Sequence, residues 1–566
     1  MADLVKIFYD VGKAYADEAL YNYNQTHSKR IDKIVTIDLD KEYEAKVYDR
    51  DAIVDRFFLR VTSSNGGNLY PFLYLSEKSI DGMKKAFNNM RRFLEEDKKR
   101  ELQKIEKQID YERVQEAIAP YMNEKNCYVG LLYQGKTFNE LFLQVATNYI
   151  QNVCKSDIEV DGDCYIMGSS RIGYDARLNF CSVNELPTKL QKATKFRLLP
   201  LSQEAACLVK QGFEKIFEEN IFRFSLFGLS YYLLPTLFME NKRLFFDKLQ
   251  EAAKEDSATI KEKYTLERKL ERLVQKLEES KLSQKVLLSF LFAKKSNNAI
   301  DLYQMIEDVA PSRISKANQL MGEFQVQPKA SRFVKKRDYD KKMLYIRDYI
   351  EDGLLLAKLI FGKEKITHPE VIEGIIAKKI IFGSVANQEK RDFSLVISGY
   401  YADDVDFSKH QRFVDFLAAL GVLGFDGRNY IYVEEEMESF SNIAKKKFEE
   451  VELLRKPRAR ELYALGALAQ LVMKWQYAQG SESLAKYLDS IGAVTMQNAD
   501  RVFRKVYEGA RKYGIGGKEY EDLLQLYVDT KEGVKNEDTI SIDQANIACV
   551  MGSVDYKKYK EQKGEE

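Results

Sequence analysis

The spacing of apolar residues changes along this chain. In the first part, short alternating segments are interleaved with helical ones. From about residue 340 to the end, nearly every segment repeats at helical spacing. That switch limits the fold class to α+β: a mixed α/β N-terminal region followed by a C-terminal α-helical bundle. With 566 residues the chain is too long for one ordinary core. Three regions are read from the pattern, 1–155, 156–330 and 331–566.

Residues 1–30 read as a helix with a polar tail. KIVTIDLD (33–40) and FFLRVTSS (57–64) alternate like strands. The second runs into SSNGGNLYP (63–71), a loop whose adjacent glycines let the backbone approach a phosphate or a base, although the same residues also make an ordinary turn. Residues 80–118 are expected to form one long, charged, solvated helix, because opposite charges sit three or four positions apart. CYVGLLYQG (127–135) reads as a strand and turn, followed by a helix over 137–153.

Further on, 240–290 reads as strongly helical and LLSFLFAKK (287–295) as a buried element. In IEDVAPSR (306–313), Pro311 is expected to stop one helix and Ser312 to cap another. EFQVQPKASRFVKKRD (323–338) reads as an exposed basic connector, and NYIYVEEE (429–436) as a strand-like piece in the helical part.

The chain has 88 Lys and Arg against 87 Asp and Glu, a net charge of +1. Any binding to nucleic acid must therefore come from basic residues segregated onto faces. The clearest such face is the helix NADRVFRKVYEGARKYG (498–514). At about 100° per residue, Arg501, Arg504, Lys505, Arg511 and Lys512 share one arc, with Glu508 as the one acid among them. Val502, Phe503, Val506, Ala510 and Tyr513 share the opposite arc. The pattern fits a phosphate-tracking surface or a solvated bundle face. Two further basic clusters are Lys329, Arg332, Lys335, Lys336 and Arg337, and Lys445, Lys446 and Lys447 with Arg455, Lys456, Arg458 and Arg460. Contacts of this kind give affinity without sequence choice.

Signatures of catalysis are missing. The three histidines, His27, His368 and His410, form no recognised catalytic or zinc-binding motif. GKTF (135–138) lacks the upstream glycines of a phosphate loop. Acid pairs such as Asp161 with Asp163 and Asp403 with Asp404 are ordinary in a chain this acidic. The chain is expected not to be an enzyme and to hold no cofactor. Its first residues are amphipathic and carry acids, unlike a signal peptide. The most apolar run, FSLFGLSYYLLPTLFM, is broken by Gly228 and Pro235 and falls short of a membrane span. The six scattered cysteines fit a cytoplasmic protein with reduced thiols and no membrane contact.

Several separated pieces resemble, in order, the large subunit of type I-B CRISPR Cascade, an RNA-guided DNA surveillance complex. They are LNFCSVNELP, the PLSQEAA-to-KIFEENIF helix with Gly212, GLSYYLLP, LLSFLFAKKSNNA, IEDVAPSR and ELYALGALAQLVMKWQ, spanning about 125–480. The family commonly carries two Cys-x-x-Cys pairs that look like a zinc ribbon. Here the first pair is Cys164 with Met167, and the second has become Ser202 and Ala205. One of four ligands remains where a structural zinc needs four. A degenerate zinc-ribbon-like module without metal is therefore expected over Cys164–Pro235, held by Phe180, Leu198, Leu199, Phe213, Ile216, Phe222, Tyr231 and Leu233.

The resemblance implies a non-catalytic large subunit that recognises the PAM, promotes R-loop formation and recruits a helicase-nuclease. The implied partners are crRNA, target double-stranded DNA with its PAM, and the backbone and small subunits of the complex; homo-oligomers are not expected. In such systems base pairing reads sequence and the protein reads the PAM. No family signature marks the PAM-reading residues. The candidates here are Ser63, Asn65, Gly66, Gly67 and Asn68, with Gln134 and Lys136 as a second loop, because such side chains reach base edges. In the family the small subunit can be an internally started copy of the C-terminal part. Met437, after Glu434, Glu435 and Glu436 with their purine-rich codons, is the candidate start of a 437–566 product. The alternative reading is a helical scaffold that binds only proteins; a metal-dependent nuclease or nucleotidyl transferase is a third.

Overall fold

The computed structural model describes residues 2–16, 24–27, 29–62, 66–154, 159–168, 171–176, 178, 199–254, 266–296, 299–334, 340, 342–382, 405–434 and 439–564. The expectations placed on Ser63, Asn65, Phe180, Cys181, Leu198, Lys335, Lys336, Arg337, Asp403, Asp404 and Met437 lie outside the described residues, as do the side chains of His27 and Arg332. The fold class is α+β, with a mixed first half and a helical second half. The chain divides into two compact units. One comprises Met1–Phe224, Ser230–Lys254 and Gln284–Asp308; the other comprises Ser225–Leu229, Glu255–Ser283 and Val309–Glu566.

The first unit is built on a sheet in the order β2-β1-β4-β3, with β1 Lys33–Asp38, β2 Glu44–Asp49, β3 Phe72–Tyr74 and β4 Cys127–Tyr133; β5, Lys136–Thr137, pairs with β4. β1 and β4 run parallel and the other pairs antiparallel. β4 is buried along almost its whole length, as expected of a strand covered on both faces. Cys127, Val129 and Leu131 join Val35 and Ile37 in a core against helices. Tyr128 and Leu132 face a second cluster with Ile34, Phe57 and Phe72. Gly130 leaves room for the Phe57 ring, which a Cβ would meet at 2.3 Å.

The long helix expected over 80–118 is three helices: α2 Ser79–Arg92, α3 Glu96–Lys107 and α4 Tyr111–Ile118, after α1 Ala2–Ala14. A straight helix of that length would extend about 58 Å and carry its apolar residues away from the sheet. Folding back puts Met83, Phe87, Met90, Leu102, Ile105, Val114 and Ile118 into one core. Asp110 makes the last break by accepting the Glu112 and Arg113 amides as an N-cap.

The expected strand at 57–64 is also corrected. Phe57–Arg60 is extended but joins no ladder, and a single bridge pairs Val61 with Asn68. Its alternation comes from Phe57 and Leu59 entering one core and Phe58 the other. Side chains take the backbone bonds: Asn24 Oδ1 accepts from Leu59 N–H at 2.9 Å and Asn139 Oδ1 from Phe58 N–H at 3.3 Å.

Helix α5, Gln144–Val153, leads to a small β6–β7 pair, Val160–Asp161 with Arg171–Ile172. Helix α6, Gln203–Glu218, is capped by Ser202 Oγ accepting from Ala205 N–H at 3.3 Å. It packs on α1, with Phe8 edge-on to Phe213 at 5.5 Å. A second sheet has the order β11-β10-β9-β8, from β8 Arg223–Leu226, β9 Leu229–Leu237, β10 Val286–Ser296 and β11 Ala299–Val309; α7, Arg243–Lys254, follows β9. The buried LLSFLFAKK segment is β10, and Pro235 lies within β9 opposite Leu288. Phe213, Ile216, Phe222, Tyr231 and Leu233 are all buried, with Leu199 half-buried.

The second unit contains α8 Arg268–Glu279, α9 Pro311–Glu323, the parallel pair β12 Val326–Gln327 and β13 Leu344–Tyr345, and nine further described helices. These are α10 Gly353–Ile360, α11 Pro369–Phe382, α12 Phe407–Ala419, α13 Phe440–Glu450, α14 Pro457–Ala478, α15 Ser483–Ile491, α16 Ala499–Lys512, α17 Lys518–Glu532 and α18 Ile542–Gln562. α14 is the axis of the bundle, packed on α15, α16, α17 and most extensively on α18.

Pro311 ends a strand rather than a helix. It occupies the first turn of α9, where its missing N–H costs nothing, and Ala310 is the N-cap in place of Ser312. The described part of NYIYVEEE is not a strand. Tyr430, Ile431 and Val433 are buried, but Ile431 N–H bonds the Gln411 side chain at 2.8 Å. No described helix is long and apolar enough to cross a membrane.

Candidate nucleic-acid interface

Helix α16 has the two faces its spacing requires. Val502, Val506 and Ala510 are buried, and Gly509 faces α14, where a Cβ would meet Gln476 Nε2 at 3.0 Å. Phe503 stacks on Tyr527 of α17 with ring centroids 4.3 Å apart. The helix is thus held by packing from behind, and Arg501, Arg504, Lys505, Arg511 and Lys512 are all exposed.

Their partners differ. Lys505 Nζ pairs with Glu508 at 2.8 Å, a surface pair of small energetic weight. Arg501 lies over the Tyr487 ring at 5.8 Å. Among the described residues, Arg501, Arg504, Arg511 and Lys512 have no carboxylate in ion-pair contact. Asp500, the acid nearest the start of the helix, is bound by Lys531, which holds its carboxyl below the usual range. Arg511 and Lys512 occupy the last turn, where cations also favour the helix carboxyl end.

The cluster over 445–460 turns mostly inward. Lys445 is exposed; Lys446 Nζ donates to the Glu434 carbonyl at 3.4 Å. Lys447, 1% exposed, forms an ion pair with Asp555 at 2.5 Å, and Tyr463 Oη donates to the same carboxylate at 2.9 Å. Arg458 reaches the fully buried Glu461 at 2.7 Å. Arg460 donates to the carbonyls of Leu454 and Phe448 at 2.8 and 3.0 Å. Arg455 and Lys456 are exposed, and Arg455 pairs with Glu452 at 2.6 Å. In the connector Lys329 is exposed.

In the first unit, the carboxyl ends of β1 and β4 and the amino end of β3 share one end of the sheet. That register brings together the turns at 39–43 and 134–135 and the approach to β3. Gln134 and Gly135 both have positive φ, 52° and 69°, which is the two-residue hairpin turn joining β4 to β5. Gln134 N–H donates to Asp40, and Lys136 is exposed. Gly66–Asn68 is pinned to α2: Asn89 Nδ2 donates to the Gly66 and Asn68 carbonyls at 2.7 and 2.9 Å. Thr62 N–H bonds the Gly67 carbonyl at 3.0 Å. Gly67, at φ 74°, packs against the stem of Lys85, and Arg92, two turns along α2, is also exposed. The sequence reading missed Asn89, Lys85 and Arg92 because they lay inside a segment taken as a solvated helix; their spacing is the one signal that marks them. The end of the sheet is rich in acids, with Asp38, Asp40, Glu42 and Glu44 against Lys41, Lys46 and Lys136.

Three other features bear on chemistry. Cys164 Sγ accepts the Ser202 amide at 3.3 Å. Burial raises its pKa, but hydrogen bonds from the Ile166, Ser202 and Met167 amides outweigh that and hold it below the ordinary thiol range. Among the described residues no three His, Cys, Asp or Glu side chains gather as a metal site would require. His410 is buried, its Nδ1 2.8 Å from Tyr349 Oη, and desolvation pushes its pKa down to about 3.

Arg313, within the IEDVAPSR piece, has a structural task. Its Nε donates to the Ile360 carbonyl at 2.8 Å and its Nη1 to the Leu420 carbonyl at 2.7 Å, satisfying the carboxyl ends of α10 and α12 together.

Residues 186–309 match the family model described as CRISPR-associated protein TM1802 (cas_TM1802) central domain. The matched stretch includes α6, α7, α8 and the whole β8–β11 sheet. Over it the chain is similar to a CRISPR-associated central domain, and the match supports a CRISPR-associated protein. No curated protein matches the chain.

Proposed function

We propose that this chain is the non-catalytic large subunit of a type I-B CRISPR RNA-guided surveillance complex, and that α16 contacts the phosphates of its DNA. The observation that carries the reading is the family match over 186–309, in the same stretch that holds three of the ordered sequence pieces whole and half of a fourth. The exposed cations of α16 support the second part, because they sit on a helix fixed from behind and four of them have no carboxylate partner among the described residues. A row of cations on a rigid element binds phosphate by counterion release and contributes affinity without sequence choice. PAM reading then falls to the first unit, with Gly66, Gly67, Asn68, Gln134 and Lys136 as its described candidates. In this reading crRNA, target DNA, the backbone and small subunits and a helicase-nuclease are the partners, and the chain works in the cytoplasm.

The test is reconstitution with guide RNA and backbone subunits, followed by DNA binding across a library of flanking motifs and a salt series. The complex is expected to discriminate among flanking motifs, and the isolated chain with magnesium is expected not to cut DNA. A chain that assembles with the other subunits but adds no DNA affinity is a scaffold, and the proposal fails.

A further inference from the structure

The second sheet ends in a long strand with an open side. In the order β11-β10-β9-β8, β11 is an edge. Its eleven residues extend about 37 Å, roughly twice the usual strand. Among the described residues, no strand pairs with its outer side, and no backbone hydrogen bond reaches it from outside the sheet. Gln304 Nε2 donates to the Met305 carbonyl within the strand itself at 3.2 Å. Near its end the Asp308 amide, at φ 53°, bonds Ser289 Oγ of β10 at 3.1 Å. Long edges are ordinarily shielded by lysine, by proline or by shortening. The β11 sequence, AIDLYQMIEDV, has no such shield.

Side chains alternate across a strand. On one face of β11, Ile300 and Ile306 are buried, yet Leu302 between them is 45% exposed. On the other face Asp301, Tyr303 and Glu307 are exposed, Tyr303 at 64%. In β10, by contrast, Phe290, Leu291 and Phe292 are all buried, so that strand is covered on both faces. The charges say what fits the open side. β11 carries Asp301, Glu307 and Asp308 and no cation; the exposed Lys294 belongs to the inner strand β10. Such an edge repels phosphate. A second copy paired antiparallel about Gln304 and Met305 would set Asp301 against Asp308, and one paired in parallel register would set each acid beside itself. Like charges opposite one another destabilise a strand pair.

We propose that β11 is a docking edge for an extended segment of a partner protein, alternately apolar and basic, which joins the sheet as a fifth strand. Backbone hydrogen bonds hold the added strand and side chains select it. Apolar residues on one face of the segment cover Leu302. Lysine or arginine on the other face meets Asp301 and Glu307. This protein-binding edge is independent of the phosphate contacts assigned to α16.

The probe is a short blocked peptide of alternating valine and lysine. It is compared with the same peptide carrying glutamate for lysine, and with the lysine peptide N-methylated throughout. The full chain is used, and hydrogen exchange is followed along β10 and β11. In the free chain, alternate amides of β11 are expected to exchange faster than those of β10, and the lysine peptide is expected to slow them. The glutamate peptide is expected to bind about tenfold more weakly, and the N-methylated peptide to give no protection. The double variant Leu302→Lys with Tyr303→Lys is expected to fold and to lose binding of the lysine peptide. The proposal is overturned if the lysine peptide does not bind, if the two charged peptides bind equally, or if the N-methylated peptide protects. Protection confined to other elements, or a β11 that already exchanges as slowly as β10 in the free chain, overturns it as well. So does a free chain that dimerises with rising concentration in sedimentation and loses the dimer in the double variant, because the edge then belongs to a second copy. If the double variant misfolds, the peptide comparison on the wild-type chain alone decides.

Discussion

Among the described residues, each unit contains one helix crossing in which the two backbones touch. In the first, Gly12 of α1 faces the Leu208 carbonyl of α6 and Gly212 of α6 faces the Phe8 carbonyl; a Cβ would lie 1.9 and 1.8 Å from those oxygens. In the second, Gly466 of α14 faces the Cys549 carbonyl of α18 and Gly552 faces the Tyr463 carbonyl, both at 1.9 Å. The reciprocal register makes both pairs antiparallel. The flanks differ. Beside α1–α6 lie Phe8, Phe213 and Phe217 and the buried ion pairs of Glu214 with Arg60 and Lys210. Beside α14–α18 lies the Lys447–Asp555–Tyr463 cluster. The same solution to close packing thus serves a short amphipathic helix docked on a sheet-bearing unit and the axis of a helical bundle. What differs is how polar groups are fitted around the bare contact.

Replacing either glycine of a crossing by alanine should have the largest effect. A methyl group at 1.9 Å from a carbonyl oxygen cannot be accommodated by a rotamer change; the helices must part along the whole seam. The loss is expected to exceed the about 1–3 kcal/mol of ordinary overpacking. Denaturation of Gly12→Ala and Gly552→Ala, read by hydrogen exchange in each unit, checks it. Loss of protection is expected in the unit that carries the substitution. Wild-type stability in either variant would show that the crossing is looser than described.

The buried cluster comes next. Asp555→Ala leaves the Lys447 ammonium buried without its carboxylate, which is expected to cost about 3 kcal/mol or more. Lys447→Met with Asp555→Leu should recover most of that loss, because both charges are then removed. If the double variant is no better than the single one, the pair is needed for more than its own charge balance.

These crossings show what the sequence hides. The buried strand β4 and the two faces of α16 are legible, because each is a regular alternation of apolar and polar residues along one element. Gly466 and Gly552 sit inside helical periods with nothing local to separate close packing from a weak helix position; the partner backbone that demands them is elsewhere in the chain. Nothing local to Arg313 shows that two helix ends converge on it. The breaks at 93–95 and 108–110 are set by a shared core, which charge spacing along one helix does not report. In the candidate interface, Arg458 and Arg460 look like the cations of α16 in sequence. The burial of Glu461 and the carbonyls of Leu454 and Phe448 separate them.

The units should also differ in acid. His410, in the second unit, has its folded pKa lowered by burial from 6.5 to about 3, with Lys379 and Lys409 opposing its charge and Asp406 favouring it. A depressed histidine contributes stability above its unfolded pKa. That stability is lost as pH falls from about 6.5 toward 3, because the unfolded chain takes up the proton first. The slope from this group is expected to approach about 1.4 kcal/mol per pH unit. His410→Gln should flatten the acid limb in exchange measurements of the second unit and leave that of the first unchanged. An unaltered limb in this variant would place the acid sensitivity elsewhere.

The smallest effect on stability and the most telling on function is expected at α16. Arg501, Arg504 and Lys505 are exposed, and replacing all three by alanine should change stability by no more than about 0.5 kcal/mol each. If the face tracks phosphate, DNA affinity of the assembled complex should fall uniformly across flanking motifs. The salt dependence should flatten by about 0.9 for each phosphate that the face no longer neutralises. Arg458→Lys and Arg460→Lys are the counterpart in the same unit: they should reduce stability and leave the salt slope unchanged, since their guanidinium groups bond inward. A change in motif preference from the α16 triple variant would move base reading out of the first unit, and with it the division of labour proposed between the two.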